Sequence, residues 1–175
     1  MSRPPAASCD PPVDAVHAAR AGTIVERHFG VGDLPRLRAA IVSGDEASGL
    51  DAKFTFSLLE GQPAIDGEMN GSVQLICQRC LQPVAVPIDE AFRVVVVKDE
   101  DADPEQFGSY EPIAVDATRL DLQWLAEEQA LLALPLVPLH EPGECTEAPL
   151  APAEEPLAPG KQRPFGDLRE LLKKH

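Results

Sequence analysis

From Lys53 to Lys98 apolar and polar residues alternate with a period of two. In "KFTFSLLE" Phe54, Phe56 and Leu58 share a face, and in "GSVQLIC" Val73, Leu75 and Cys77 do. In "VAVPIDEAFRVVVVK" Val84, Val86, Ile88, Phe92, Val94 and Val96 share a face interrupted by Glu90. Such alternation predicts half-buried strands. The last two segments read as an antiparallel hairpin with "CQRCL" at its tip. Pro87 has no N–H to give to a ladder, so an edge or a bulge is expected there. Asp66–Gly67 reads as a turn, and "TIVERHF" as a further short strand. The pattern predicts an α+β fold built on an antiparallel sheet of about four to six strands.

The helical signals are fewer. Asp33 reads as an N-cap, with Leu34 and Pro35 opening a short helix that places Leu37, Ala40 and Ile41 on one side and stops at Gly44. Asp121 reads as a second N-cap. Behind it Leu122, Leu125, Gln129 and Leu132 follow helical spacing, Leu131 widens the stripe, and Pro135 ends the helix. Between these helices "PIAV" is a short extended piece, and after them the prolines of "LPLVPLHE" force extended backbone. The chain closes on "RPFGDLRELLKKH", where Phe165, Leu168 and Leu172 fall on one helical face and Lys173 and Lys174 suit the C-terminal end. The expected organisation is a disordered stretch over 1–12, a single domain over 13–145, a Pro/Ala/Glu-rich linker over 146–163 and a short basic helix over 164–175.

Composition supports a modest core with irregular Pro-rich flanks: of 175 residues 44% are hydrophobic, only 5% aromatic, and 18 are proline. The net charge of −14 changes the picture more. Direct nucleic-acid binders displace counterions with a basic face, and the chain as a whole lacks one. Any contact with nucleic acid is therefore expected to be local, or to run through a basic protein. The tail is the exception, with Lys161, Arg163, Arg169, Lys173 and Lys174 against Asp167 and Glu170. It is placed either on a partner or folded back on the acidic body. The N-terminal stretch holds no signal-type apolar run, and no segment approaches the ~20 apolar residues of a membrane span. The expectation is a soluble cytoplasmic protein with reduced cysteines and no disulfide framework.

Cys77 and Cys80 form a Cys-x-x-Cys motif open to three readings. A redox pair belongs at the start of a helix, whose N-terminus lowers the thiol pKa. Here both flanks read as strand. A metal half-site fits a strand reversal that aims two thiolates at one point. Zinc then needs two more nitrogen or sulfur ligands, and His140 with Cys145 could supply them, with Cys9 a remote reserve. The third reading is that Cys77 packs in the core and Cys80 is a turn thiol. Other constellations are poor. Adjacent Glu127 and Glu128 cannot face each other as an acid/base pair and read as a solvated face near Arg119. His17, His28 and His175 are isolated, and Trp124 reads as helix core. No nucleophile elbow or phosphate-cradling loop is present, so no enzymatic activity is expected.

Three blocks carry a resemblance: "GSVQLICQRCLQPVAVPI", "YEPIAVDATRLDLQWLAEEQALLALPLVPLHEPGEC" and "RPFGDLRELLKK". With a strand leading into Cys-x-Arg-Cys, a Tyr-Glu-Pro-Ile segment and a Leu-Pro-x-x-Pro-x-His block ending in Cys, the chain resembles the YceD family of large ribosomal RNA subunit accumulation proteins over roughly residues 22–175. The motif falls on Cys77, Arg79, Cys80, Pro135, Pro138, His140 and Cys145. The resemblance implies a non-catalytic ribosome biogenesis factor of the bacterial cytoplasm, with relatives in plastids. Its role would be the synthesis, processing or stability of large-subunit (23S) ribosomal RNA. Combined with the charge distribution, it points to Arg79 and the basic tail residues as contacts to RNA or a partner, or to the acidic body as the surface that holds a basic ribosomal protein. No membrane or small-molecule partner is implied. The alternative is a zinc-stabilised protein-binding adaptor without an RNA role.

Overall fold

The computed structural model describes residues 11–42, 49–98 and 102–145. A short helix, α1 (Ala15–Ala21), comes first. Asp14 caps it by accepting the His17 N–H, and Gly22 closes it in the left-handed conformation. Strand β1 (Ile24–Gly30) follows, then a 3-10 turn at Val31–Asp33 and helix α2 (Pro35–Ala40). Three long strands, β2 (Gly49–Leu59), β3 (Gln62–Ile76) and β4 (Pro83–Val97), build the centre. A 3-10 turn at Pro104–Phe107, strand β5 (Glu111–Ala114) and helix α3 (Leu122–Ala133) complete the described elements.

The sheet order is β1-β2-β3-β4-β5. The first four strands are antiparallel neighbours, while β5 runs parallel to β4, pairing Val94 with Glu111 through Val97 with Ala114. The sheet is thus mixed, where alternation predicted antiparallel strands throughout. Period two reports burial on one face and carries no information on direction. What allows the parallel pair is the long connection from β4 to β5, since parallel strands need a crossover rather than a tight turn.

Asp66–Gly67 is not a turn. Both residues lie inside β3, opposite Arg93 and Phe92 of β4. The reversal from β2 to β3 sits instead at Glu60–Gly61, both with positive φ. Gly67 makes room for an aromatic ring, since a Cβ there would come within 2.1 Å of Phe92. The missing side chain lets that ring lie over β3, where it meets Phe54 edge-on at 6.2 Å between centroids. Pro87 pairs with Ser72 on one side, and β5 reaches only Val94–Val97, so its other side borders no strand among the described residues.

One sheet face carries the main core, and Val95, Val97 and Phe107 form a smaller buried cluster apart from it. Phe29, Leu50, Ala52, Phe54, Phe56, Ile65, Met69, Val73, Leu75, Val84, Ile88, Val94 and Val96 are all buried. They alternate along their strands and align across the register. Helices α1 and α3 lie against this sheet, and α2 packs on α3. Leu58, expected with Phe54 and Phe56, is about half exposed because it lies at the strand end.

The helices differ from expectation in detail. Leu34, not Asp33, is the N-cap of α2, and the Asp33 carboxylate instead accepts the Gly30 N–H below the 3-10 turn. Leu34 and Leu37 are buried while Ala40 is exposed, and Ile41 lies beyond the helix end. Asp121 caps α3 as expected, accepting the Trp124 N–H at 3.0 Å. The buried face of α3 runs through Leu122, Leu125, Ala126 and Ala130, and Leu132 is 68% exposed. In the second half of the helix the small Ala126 and Ala130 lie inside and the longer Leu132 does not. Trp124 and Leu131 pack against the core from its edge. The expectations for Gly44, residues 1–10, the 146–163 linker and the 164–175 helix lie outside the described residues.

Candidate metal centre

Residues 77–82 link β3 to β4, whose last paired residues are Ile76 and Pro83. Two backbone hydrogen bonds hold this link: the Cys77 N–H donates to the Gln82 carbonyl and the Leu81 N–H to the Cys77 carbonyl, both at 2.9 Å. Leu81 takes a positive φ of 61°, which costs a non-glycine residue energy and needs support from its surroundings. The result places the side chains of Cys77 and Cys80 together, and both are buried.

The second half of the site arrives from the end of α3. Pro135 breaks the helix, and the chain then runs beside the turn. The Gln78 N–H donates to the Pro138 carbonyl at 3.0 Å and its side-chain amide to the Leu136 carbonyl at 3.3 Å. After His140 the chain turns sharply: the Glu144 N–H donates to the Glu141 carbonyl and Gly143 adopts a φ of 96°. That conformation suits glycine. The turn brings Cys145 back onto His140, which accounts for their five-residue spacing.

Four ligand atoms therefore converge, with the Sγ atoms of Cys77, Cys80 and Cys145 and one ring nitrogen of His140 all within 4.8 Å of one another. Cys77 Sγ lies 3.8 Å from Cys145 Sγ; His140 Nδ1 lies 3.3 Å from Cys80 Sγ and 3.8 Å from Cys145 Sγ. A tetrahedron with zinc–sulfur bonds of about 2.3 Å and a zinc–nitrogen bond of about 2.0 Å has edges of about 3.5–3.8 Å. The three separations of 3.3–3.8 Å are close to those edges, and the 4.8 Å limit on the rest leaves about 1 Å for the ligands to close on an ion. The sulfur separation is also far beyond a disulfide bond of about 2.05 Å.

The histidine is oriented to act as a ligand. Its Nε2 lies 3.0 Å from the Pro83 carbonyl. A carbonyl only accepts, so Nε2 carries the proton and Nδ1 turns its lone pair towards the sulfurs. This is the outer hydrogen bond that fixes the tautomer of metal-binding histidines. The thiols are electrostatically unequal. Burial pushes Cys77 up, but hydrogen bonds from the backbone around Cys80, His140 and Arg79 bring it down to about 5. Burial, with hydrogen bonds to Cys80 and Cys77, pushes Cys145 up, and Arg79 opposes that.

Of the expected contact residues, Arg79 is the one described. It is exposed, yet its Nε–H donates to Cys145 Sγ at 3.0 Å and an Nη2–H donates to the His140 carbonyl at 2.8 Å. Lys161, Arg163, Arg169, Lys173 and Lys174 lie outside the described residues, as does Cys9. His17 is exposed, and exposed His28 is not isolated but lies 2.8 Å from Asp51. Two open hollows on the surface, one over Glu26, His28, Asp51 and Lys53 and one over Pro104, Ser109 and Tyr110, include none of the cluster residues. No helix among the described residues is long and apolar enough to cross a membrane.

The acidic pair of α3 requires a correction. Glu127 is 3% exposed, and its carboxylate accepts the backbone N–H groups of Arg36 and Leu37 at the start of α2. Glu128 pairs with the Arg36 side chain. Glu127 is thus a long-range cap for a helix whose own N-cap, Leu34, has no polar side chain to offer. Neither glutamate forms the solvated face near Arg119 that their spacing suggested.

Two comparisons place this geometry among known proteins. The family described as "Large ribosomal RNA subunit accumulation protein YceD" matches residues 65–172, a span that contains all four cluster residues and Arg79. A large ribosomal RNA subunit accumulation protein YceD from Haemophilus influenzae is 29% identical over 170 residues, covering 93% of this chain and 95% of that protein. No solved structure matches the chain.

Proposed function

From the premise that this chain belongs to the YceD family of large ribosomal RNA subunit accumulation proteins, we propose that it is a non-catalytic factor needed for the synthesis, processing or stability of 23S ribosomal RNA. The family match carries this reading. It is supported by a chain that spans nearly the full length of its Haemophilus relative. The cytoplasm is the compartment where it would act, on the large-subunit RNA or its precursor, directly or through a basic ribosomal protein. Basic residues of the tail, Lys161, Arg163, Arg169, Lys173 and Lys174, are the contacts that the net charge of −14 leaves for an RNA phosphate or an acidic surface.

Cys77, Cys80, His140 and Cys145 hold one zinc ion in this reading. Three thiolates and an imidazole suit zinc over harder cations. Four protein ligands leave no open position for substrate, which is the arrangement of structural rather than catalytic zinc. When bound, zinc supplies a cross-link between the β3–β4 connection and the segment after α3. The protein residues supply everything else: Gln78 aligns the two segments, Pro83 fixes the imidazole, and the positive φ of Gly143 returns Cys145 to the cluster.

The test is a strain lacking the protein. Mature 23S RNA is expected to fall relative to 16S, and the tagged protein to co-sediment with large-subunit precursors. Unchanged 23S levels with no such association would overturn the reading. Capture of non-ribosomal proteins that survives ribonuclease would favour an adaptor instead.

A further inference from the structure

We infer that Arg79 is the charge-balancing clamp of the metal centre, joining its two halves and making tight zinc binding depend on a guanidinium. This rests on the zinc reading above. Three thiolates and a neutral imidazole around a divalent ion leave one net negative charge. Cys77 and Cys80 are buried and Cys145 is half-buried, so this charge sits where solvent screens it poorly. A buried charge is costly unless it is paired and hydrogen-bonded. Arg79 answers both needs, with Nε–H on Cys145 Sγ at 3.0 Å and Nη2–H on the His140 carbonyl at 2.8 Å.

The geometry explains why the residue is arginine. Arg79 lies between the two cysteines of the first half-site, and both of its acceptors belong to the second half-site. One acceptor is a ligand sulfur at the end of the 140–145 turn. The other is a backbone carbonyl at its start. The planar guanidinium fork reaches both at once, whereas a lysine ammonium is a point charge on a flexible stem. Arg79 is therefore a positioning residue: it touches a ligand of the metal and closes the turn that presents that ligand. A hydrogen bond to a coordinated thiolate also lowers the energy of the sulfur electrons, which gives the contact a spectroscopic signature.

The experiment uses the full chain with Arg79→Ala, Arg79→Lys and Arg79→Gln. Zinc affinity is measured by competition with a chromogenic chelator, and cobalt(II) replaces zinc for absorption spectra. Arg79→Ala is expected to weaken zinc binding by about 10–100-fold, the usual cost of losing an outer-shell partner. Its sulfur-to-cobalt charge-transfer band is expected to move to longer wavelength. Arg79→Lys is expected to recover part of the affinity through its charge without restoring the band, and Arg79→Gln to recover less affinity than Lys. Circular dichroism checks that each variant folds, and the lysine and glutamine variants keep the test decisive if the alanine variant does not. Affinities within about twofold of the parent in all folded variants, against the loss that an outer-shell partner entails, with an unmoved band, would overturn the inference. A parent chain that binds no zinc would instead overturn the reading on which it rests.

Discussion

His140 Nδ1 lies 3.3 Å from Cys80 Sγ, although sixty residues separate the two in the chain. The contact closes a loop that contains all of β4, β5 and α3. Among the described residues, Gln78 supplies the backbone N–H that ties the β3–β4 connection to the segment after α3. If metal is the main fastener, its removal should free the segment after α3 and leave the sheet intact. Hydrogen exchange reads this at the Gln78 amide, which donates to Pro138. With zinc bound that amide is expected to be protected. After chelation its protection should be lost, while the β3 amides paired with β2 and β4 keep theirs. Equal protection in both states would show that the segments hold together without the ion.

Glu127→Ala tests the long-range cap. The carboxylate accepts two N–H groups at the start of α2 from a site that is 3% exposed. Hydrogen bonds to charged groups contribute about 1.5–3 kcal/mol, and the alanine leaves two donors unpaired. A loss of about 2–4 kcal/mol in urea unfolding is expected, with Glu127→Gln costing less because it keeps an acceptor. Glu128→Ala, which removes a partly exposed pair with Arg36, is expected to cost under about 1 kcal/mol.

Two glycines of β3 are expected to be needed for close approach, and they should differ in tolerance. A Cβ at Gly71 would meet the Gly49 carbonyl oxygen at 2.4 Å, a backbone atom that cannot rotate away. The three atoms nearest a Cβ at Gly67 all belong to the Phe92 ring. Gly71→Ala is expected to destabilise by about 2–3 kcal/mol through overpacking. Gly67→Ala should be rescued in part by Phe92→Leu, which removes the ring. Thermal melts of the two single variants and the double variant measure both effects.

Tyr110 is the only tyrosine of the chain, so tyrosinate absorbance reports it directly. Burial pushes its phenol above the usual value of 10.0, and its hydrogen bond to Asp66, 3.0 Å to Oδ2, pushes the same way. The folded pKa is higher than the unfolded one. The stabilisation is therefore fully present below pH 10.0 and is lost as pH rises through the folded value. The absorbance midpoint of the native protein is expected above 10.0 and should fall in Asp66→Asn, which removes the neighbouring charge. A native midpoint at or below 10.0 would contradict this.

The strands are legible in the sequence because alternation follows directly from burying one face: Phe54 with Phe56, Val73 with Leu75, and Val84, Ile88, Val94 and Val96 all lie inside. The Asp66–Gly67 pair misleads because a glycine that makes room for Phe92 looks the same in sequence as one that turns the chain. Helix α1 is hard to read although Asp14 and Gly22 bracket it as cap and stop. Its alanines are small enough to lie between larger residues, so they leave no apolar stripe. The role of Glu127 is not legible at all, since its partners on α2 stand about ninety residues away. Spacing nominates Cys77, Cys80, His140 and Cys145. Only the fold brings the pairs together, and the clamp by Arg79 becomes visible only then.

The most direct test of the metal centre is the metal content of the full chain, purified without chelator and measured by plasma mass spectrometry beside Cys80→Ser. One zinc ion per chain is expected in the parent, with the ion lost from the serine variant. Parent protein free of metal, with the thiols of Cys77, Cys80 and Cys145 all open to titration, would contradict the assignment of this cluster as a zinc site.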